Sequence, residues 1–464
     1  MKKVLISSVV AGLLAISATA ADTYGPFPVT VKGYEGKKEN SVAYTGQIAR
    51  QTLEKSLKKL ATQGNGAANP ELKAKMLAYY AGKDAGRAII DPTTKGEFKI
   101  KQTKVDEISK GKNLKGKTYK GLINGFPGQM TGPEMVEFLI EKASASKGGY
   151  DPLTGYKYEQ LISKFLMGGV AYSQAVDNYL DEKLEANKNP NNKAYKAGKH
   201  YTGKEHVWDE AFGYFGIPAH ALTLTPKQVV AIAKKKDFKA ADYNKDGIVD
   251  LKSEMTFGPA YYAAGFDAKS GTKYMTTITQ AFIDGRKLIT SAKGEKLTDS
   301  QRAQLKEYAN VIKTNWEKVL AEAAFKYAGS VYKDLNVIKA IVDGASGDIR
   351  KAFKTYAKHW GEMKGFLMAL QTGGKDLGAT GVKLNRLSGF GPVLVTGGQV
   401  TGIDKDGNFE IGGDMTMERY MVEMVKLQKV LADEFALEAK QKDMTKKLAS
   451  IIKTMGEAGH AEND

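Results

Sequence analysis

Thr298-Asp-Ser-Gln301 opens a stretch in which Leu305, Tyr308, Ala309, Ile312, Trp316, Val319, Leu320 and Ala323 recur at spacings of three and four. That period lays them along one stripe of a helix, and a threonine three residues ahead of a glutamine is the mark of an N-terminal capping box. The stretch predicts a long bundle helix beginning just after Thr298, and it sets the fold class. Thr131-Gly-Pro-Glu134 and Thr225-Pro-Lys-Gln228 repeat the cap, each ahead of another apolar periodic run. Ile349, Phe353, Tyr356, Trp360, Met363, Leu367 and Leu370 alternate steps of four and three, the spacing of a core seam. Met417, Met421, Met424, Leu427, Leu431 and Phe435 do the same near the C-terminus, where methionines at helical spacing read as packing material.

One region breaks the helical habit. Val393–Thr396, Gln399–Ile403 and Asn408–Ile411 are short extended runs separated by Gly397-Gly398 and by Asp404-Lys-Asp-Gly407, so 393–411 predicts a small β-meander or hairpin. The expectation is a mainly α chain of two packed helical bundles, 21–220 and 257–464, joined by a connecting region over 221–256. Its length of 464 residues suits two such bundles. Gly86-Arg87-Ala-Ile-Ile and Gly285-Arg286-Lys-Leu-Ile form a faint echo between the halves.

Composition removes several chemistries. There is no cysteine, so disulfides, thiolate metal sites, iron–sulfur clusters and cysteine nucleophiles are all excluded. The first twenty residues have the form of a secretory signal: Lys2-Lys3, an apolar run from Val4 to Ile16, then Ala18-Thr19-Ala20, which predicts cleavage after Ala20 and a periplasmic or secreted protein. The apolar run is too short for a membrane span, and no other segment approaches one. Removing the signal takes away two lysines and no acid, lowering the formal charge from +17 to +15. The lysines are not interleaved with aromatics as a base-stacking platform requires, which argues for a basic surface and against a nucleic-acid partner.

The five histidines, at 200, 206, 220, 359 and 460, limit any imidazole chemistry to a short roll. In Glu205-His206-Val-Trp-Asp209-Glu210-Ala-Phe-Gly213-Tyr-Phe-Gly216, helical spacing groups Val207, Trp208, Ala211, Phe212 and Phe215 on one face and His206, Asp209, Glu210 and Gly213 on the other. An imidazole with a carboxylate three or four residues on can grip a divalent ion or be held in one tautomer; a solvated pair beside first-turn acids is the plainer reading. Gly213 would let another backbone approach that face. His359 and Glu362 repeat the pairing on the flank of the second seam, and helix bundles build metal sites from such inward groups, with oxygen and imidazole ligands suiting iron, manganese or zinc. A third constellation, Asp242-Tyr-Asn244-Lys-Asp246-Gly247-Ile-Val249-Asp250, has oxygen side chains at loop positions 1, 3, 5 and 9 and glycine at 6, the pattern of an EF-hand-like calcium loop. Its acid, Glu254, arrives one residue late, after Ser253 at position 12.

Ser41–Arg50, Lys164–Tyr172, His206–Gly216, Phe282–Arg286 and His359–Glu362 together give the chain a family likeness: it resembles an exported bacterial family of unassigned function related to the imelysins, the insulin-cleaving-membrane-protease-like proteins. The imelysin signature is Gly-x-His-x-x-Glu; His359 and Glu362 match it with Ala357 in the glycine's place, and His206 has Asp209 at the glutamate's offset. The resemblance implies paired helical bundles and a role in periplasmic or surface iron handling, with an inner-membrane iron transporter as a partner. Founding imelysins were described as metallopeptidases, but this sequence has neither His-Glu-x-x-His nor Gly-x-Ser-x-Gly. The expectation is therefore a non-catalytic protein whose His206, Asp209, Glu210, His359 and Glu362 bind a transition metal, iron before zinc, or a small iron-containing ligand in a cleft between bundles. Calcium sits at Asp242, Asn244, Asp246, Asp250 and Glu254. A metal-dependent peptidase and a calcium-stabilised structural or adhesion module are the alternatives.

Overall fold

The computed structural model describes residues 23–448, so the signal segment and His460 lie outside the described residues. Within them the chain forms thirteen α-helices: α1 (Thr45–Leu60), α2 (Pro70–Tyr80), α3 (Gly132–Ala145), α4 (Tyr158–Leu166), α5 (Gly203–Phe215), α6 (Pro226–Ala233), α7 (Phe238–Ala241), α8 (Gly258–Ser270), α9 (Tyr274–Ser291), α10 (Asp299–Val342), α11 (Ile349–Leu370), α12 (Gly378–Ser388) and α13 (Met417–Phe435). A π-helical stretch, Met167–Tyr179, continues α4 without a break.

The caps act where the sequence placed them. Thr131 with Glu134, Thr225 with Gln228 and Thr298 with Gln301 form reciprocal capping boxes on α3, α6 and α10. Each satisfies backbone N–H groups that have no partner within the helix. At 44 residues, α10 spans about 66 Å at 1.5 Å per residue and is the axis of one bundle, with α9, α11 and α13 packed along it. The predicted seams are what it buries: Leu305, Ile312, Trp316 and Val319 from α10, Tyr356, Trp360 and Met363 from α11, and Met424, Leu427 and Leu431 from α13 are all inaccessible. A second group gathers around α1, which packs on α2, α4 and α5, with α3 against α2 and α4; α8 packs on α6, α9 and α10, and α12 on α13. Contacts of α4 with α11 and of α5 with α9 join the two groups, and one continuous apolar core runs through both.

Two close approaches depend on glycine. A Cβ on Gly168 in the π-helical stretch would lie 2.2 Å from the Ala369 side chain of α11, and one on Gly285 in α9 would lie 2.1 Å from the Trp208 ring. Gly86-Arg87 sits in a loop while Gly285-Arg286 lies inside α9, so the sequence echo does not mark equivalent positions.

The β region is a hairpin of β1 (Gln399–Ile403) and β2 (Phe409–Gly412), paired antiparallel with an irregularity between Val400 and Gly402. The expected third run, Val393–Thr396, is not a strand. The Val393 N–H donates to the Tyr356 hydroxyl, and the Leu394 N–H closes a turn onto the Gly398 carbonyl, leaving no ladder for a neighbour.

Candidate functional site

The polar face of α5 is enclosed by protein. The segment from Tyr24 to Gln47 packs over it, and the Gly213 reading holds: a Cβ there would meet the Tyr44 side chain at 2.8 Å. Thr202 caps α5 in a box with Glu205, and Gly216 ends the helix in the left-handed conformation at φ 72°.

This enclosure separates the sequence-predicted residues. Asp209 does not join His206. One of its oxygens accepts from Arg286 Nε at 2.9 Å and from the Tyr24 hydroxyl at 2.7 Å, and the other accepts from the Ala43 N–H at 2.9 Å. Arg286, on α9, also donates to Glu205 at 3.1 Å, to Thr290 at 2.5 Å and to Ser41 at 2.6 Å. Burial pushes the Asp209 carboxyl above its ordinary value, against the pull of Arg286. Burial also works against the charge on Arg286, but Asp209 and Glu205 outweigh it and hold the guanidinium protonated. With every strong donor and acceptor satisfied, this network is a clamp joining α5, α9 and the N-terminal segment.

His206 and Glu210 stay together and partly accessible. His206 Nε2 lies 3.7 Å from Glu210 Oε1, and Gln47 of α1 donates to the same oxygen at 2.6 Å. The rings of Tyr195 and Tyr201 pack on the imidazole with centroids 4.2 and 4.7 Å away, and its Nδ1 is buried on the side of the Ala43 backbone. Burial pushes the imidazole below its ordinary value, with Glu210 and Asp209 opposing. Around this pair stand cations. Burial lowers Lys112, Lys117 and Lys183, the nearby charge of Arg50 lowers the first two further, and the Glu210 carboxylate raises all three. Lys117 and Lys183 also lie over the Tyr179 ring. Among the described residues, Glu210's one ion pair is with His206. Glu210 thus stands close to several positive charges, with Glu182 also acting on Lys183.

His359 and Glu362 both face α10, on separate partners. His359 Nδ1 pairs with Asp334 Oδ2 at 2.5 Å, and Glu362 accepts from the Tyr327 hydroxyl at 3.1 Å, which in turn meets the Tyr262 hydroxyl at 3.0 Å. The helices α5 and α11 pack mainly on other elements. Among the described residues, no group of three or more His, Asp or Glu side chains is placed to hold a metal ion.

The 242–254 loop is held by its own side chains. The Asp242 carboxylate accepts from the Asp246 and Gly247 N–H groups, Asn244 accepts from Asp246, and Gly247 takes φ +82° at position 6. Glu254 turns back onto the loop, accepting from the N–H groups of Tyr243, Asn244 and Asp250, and Asp250 accepts from the Gln102 side chain at 2.7 Å. Thus Asp242, Asn244 and Asp246 face one another, while Asp250 and Glu254 hold the backbone and Gln102.

The sequence reading missed the cavities. One, about 740 Å³, lies between the 122–125 loop and α12, and its wall includes Asn124, Gln371, Lys375 and Asn385. Beneath it, a fully buried lysine, Lys364, donates to Ser388 Oγ at 2.8 Å. The available signal was a lysine set inside an apolar run, Met363-Lys-Gly-Phe366, and the same signal marks Lys164 in Leu161-Ile-Ser-Lys-Phe-Leu166.

Fold and site together define a mainly helical protein built around a buried arginine–carboxylate clamp, with the tyrosine-packed His206–Glu210 pair beside it. The chain belongs to the DUF4856 family, described as a domain of unknown function, whose model matches residues 140–379, just over half of its length. The match takes in α4, α5, α9, α10 and α11, and with them His206, Glu210, Arg286 and His359. No curated protein matches it, and no solved structure does. Among the described residues, no helix is long and apolar enough to cross a membrane.

Proposed function

We propose that this chain is an exported binding protein for an anionic metal chelate, with iron as the metal, taken up in the His206–Glu210 recess and passed toward an inner-membrane iron transporter. The observation that carries the reading is the partly accessible His206–Glu210 pair, with Nε2 3.7 Å from Oε1, close to the charges of Lys112, Lys117 and Lys183. Two side chains do not fill an iron coordination sphere, so a bare ion fits poorly. A chelate brings its own oxygen ligands and its own negative charge, which the lysines offset. The imelysin-like His359-x-x-Glu362 and His206 segments, and the signal-like first twenty residues, support the iron and export parts of the reading.

Ferric citrate is the probe. Quenching of tyrosine and tryptophan emission should report saturable binding to wild type, at least about tenfold weaker in His206→Ala and in a Lys117→Met/Lys183→Met pair, since each charged contact is worth roughly 1.5–3 kcal/mol. Citrate without iron should bind more weakly than the chelate. Equal binding by wild type and His206→Ala would overturn the proposal, and chelator-sensitive cleavage of an unfolded substrate would favour the peptidase alternative. A calcium ion at Asp242, Asn244 and Asp246 is a second, separable reading, favoured by the left-handed Gly247 at the sixth position.

A further inference from the structure

A cavity of about 360 Å³ lies between α1, α4 and the start of α8, away from the α5 recess. Lys164 of α4 lines it although only 4% of the residue is exposed. No carboxylate or carbonyl accepts from its ammonium among the described residues; the one side chain within hydrogen-bonding reach is Lys58 of α1, another cation. The Lys164 ammonium lies over the Tyr262 ring at 5.3 Å and the Phe366 ring at 6.0 Å, which offsets only part of the lost hydration. Three further residues of the same wall, Glu54, Ser163 and Thr256, each keep a buried side-chain oxygen with no hydrogen-bond partner. A folded protein seldom leaves three buried oxygens in one wall without partners beside an ammonium that no carboxylate or carbonyl meets, and such a collection points to a bound ligand.

The chemistry of the wall specifies that ligand. Five lysines, Lys55, Lys58, Lys59, Lys164 and Lys234, line the cavity against two acids, Glu54 and Asp91, a positive excess that suits an oxyanion, and the hydroxyls of Ser163 and Thr256 can donate to the same group. Glu54 accepts only, so it requires a ligand O–H or N–H close to the anion and works against a polyanion such as phosphate. Met167, Phe257 and Tyr261 add apolar surface to the wall. We propose that this cavity binds a small organic acid carrying a donor next to its carboxylate, an α-hydroxy or α-amino acid, with Lys164 and Lys58 on the carboxylate and Glu54 on the donor.

Protonation of Lys164 belongs to the same event. Burial holds its amine well below the ordinary lysine value, Lys58 adds to the effect, and Glu362 and Glu54 oppose it. A ligand carboxylate beside it favours the ammonium, so binding above neutral pH takes up a proton.

Calorimetric titration of the full chain with L-lactate, L-alanine, acetate and inorganic phosphate tests this apart from any iron binding. Lactate or alanine should bind at least about tenfold more tightly than acetate or phosphate, with heats at pH 8 that vary with the buffer's ionisation enthalpy. Preference for lactate assigns a hydroxy acid, and preference for alanine an amino acid. Lys164→Met should abolish binding, and Glu54→Gln should remove the preference over acetate. Lys58→Met, at a partly exposed position, serves as the second variant should Lys164→Met fail to fold. Binding of phosphate as tightly as lactate, absence of heat with all four probes, or unchanged affinity in the lysine variants would overturn the assignment.

Discussion

Arg286 Nε donates to Asp209 Oδ1 at 2.9 Å with both side chains wholly removed from solvent. Because Glu205 shares the same guanidinium, one cation balances two buried carboxylates. Arg286→Met would leave both acids without their counter-charge and should lower stability by about 3–5 kcal/mol in urea unfolding, the cost of breaking a buried pair from one side. Ser41→Ala, which removes a hydroxyl that accepts from Arg286 and donates to the Phe27 carbonyl, should cost about 1–2 kcal/mol. Loss of less than about 1 kcal/mol in Arg286→Met would mean that the clamp does not hold α5 to α9.

How much of this was legible depends on range along the chain. The caps at Thr131, Thr225 and Thr298 and the seams of α10, α11 and α13 are local patterns, and they read directly from spacing. The fate of Asp209 is not local: its counter-charge lies 77 residues away and its other donors come from Tyr24 and Ala43. Helical periodicity placed Asp209 correctly opposite Trp208, but it cannot say that a second layer of chain covers that face too. For the same reason His359 pointed in sequence to Glu362, while in space the nearer carboxylate is Asp334 on α10. Gly213 was the exception, because a glycine in a helix interior signals close approach without naming what approaches.

Lys364 gives a pH-dependent test. Burial alone pushes its amine down to about 7 from the ordinary 10.5. Between those values the unfolded chain carries the proton and the folded chain does not, so this group makes stability rise with pH through that window; below about 7 both states are protonated and its penalty is constant. Lys364→Met keeps the length, removes the charge and leaves Ser388 its bond to the Asn385 carbonyl. The variant should be more stable than wild type at pH 6, by on the order of 2 kcal/mol, with the gain shrinking toward pH 10. Guanidinium unfolding at four or five pH values would show it, and a gain independent of pH would argue against an ammonium in the folded core.

Calcium can be separated from every other ligand. If the 242–254 loop takes up the ion, calcium in place of a chelator should raise the melting temperature of wild type, since saturation at a hundred times Kd is worth about 2.7 kcal/mol. Asp246→Ala removes one of the three facing oxygen ligands and should abolish the increment while leaving the chelator-treated melt nearly unchanged. An equal increment in wild type and Asp246→Ala would exclude the loop as its source.

The protonation of His206 sets the acid limit of chelate binding. Burial holds the imidazole below its ordinary 6.5, even with Glu210 and Asp209 opposing, so the ring is neutral and able to donate its lone pair through the neutral range. Protons compete for that lone pair only below the shifted value. The affinity for ferric citrate should therefore stay level from pH 8 to pH 6.5 and fall on further acidification, by about tenfold per unit for one competing proton. Glu210→Gln removes the carboxylate that opposes the shift, so the fall should begin at a still lower pH even though overall affinity drops. A profile that starts to fall above pH 6.5, or one that Glu210→Gln leaves in place, would mean that an imidazole other than His206, or none, meets the ligand.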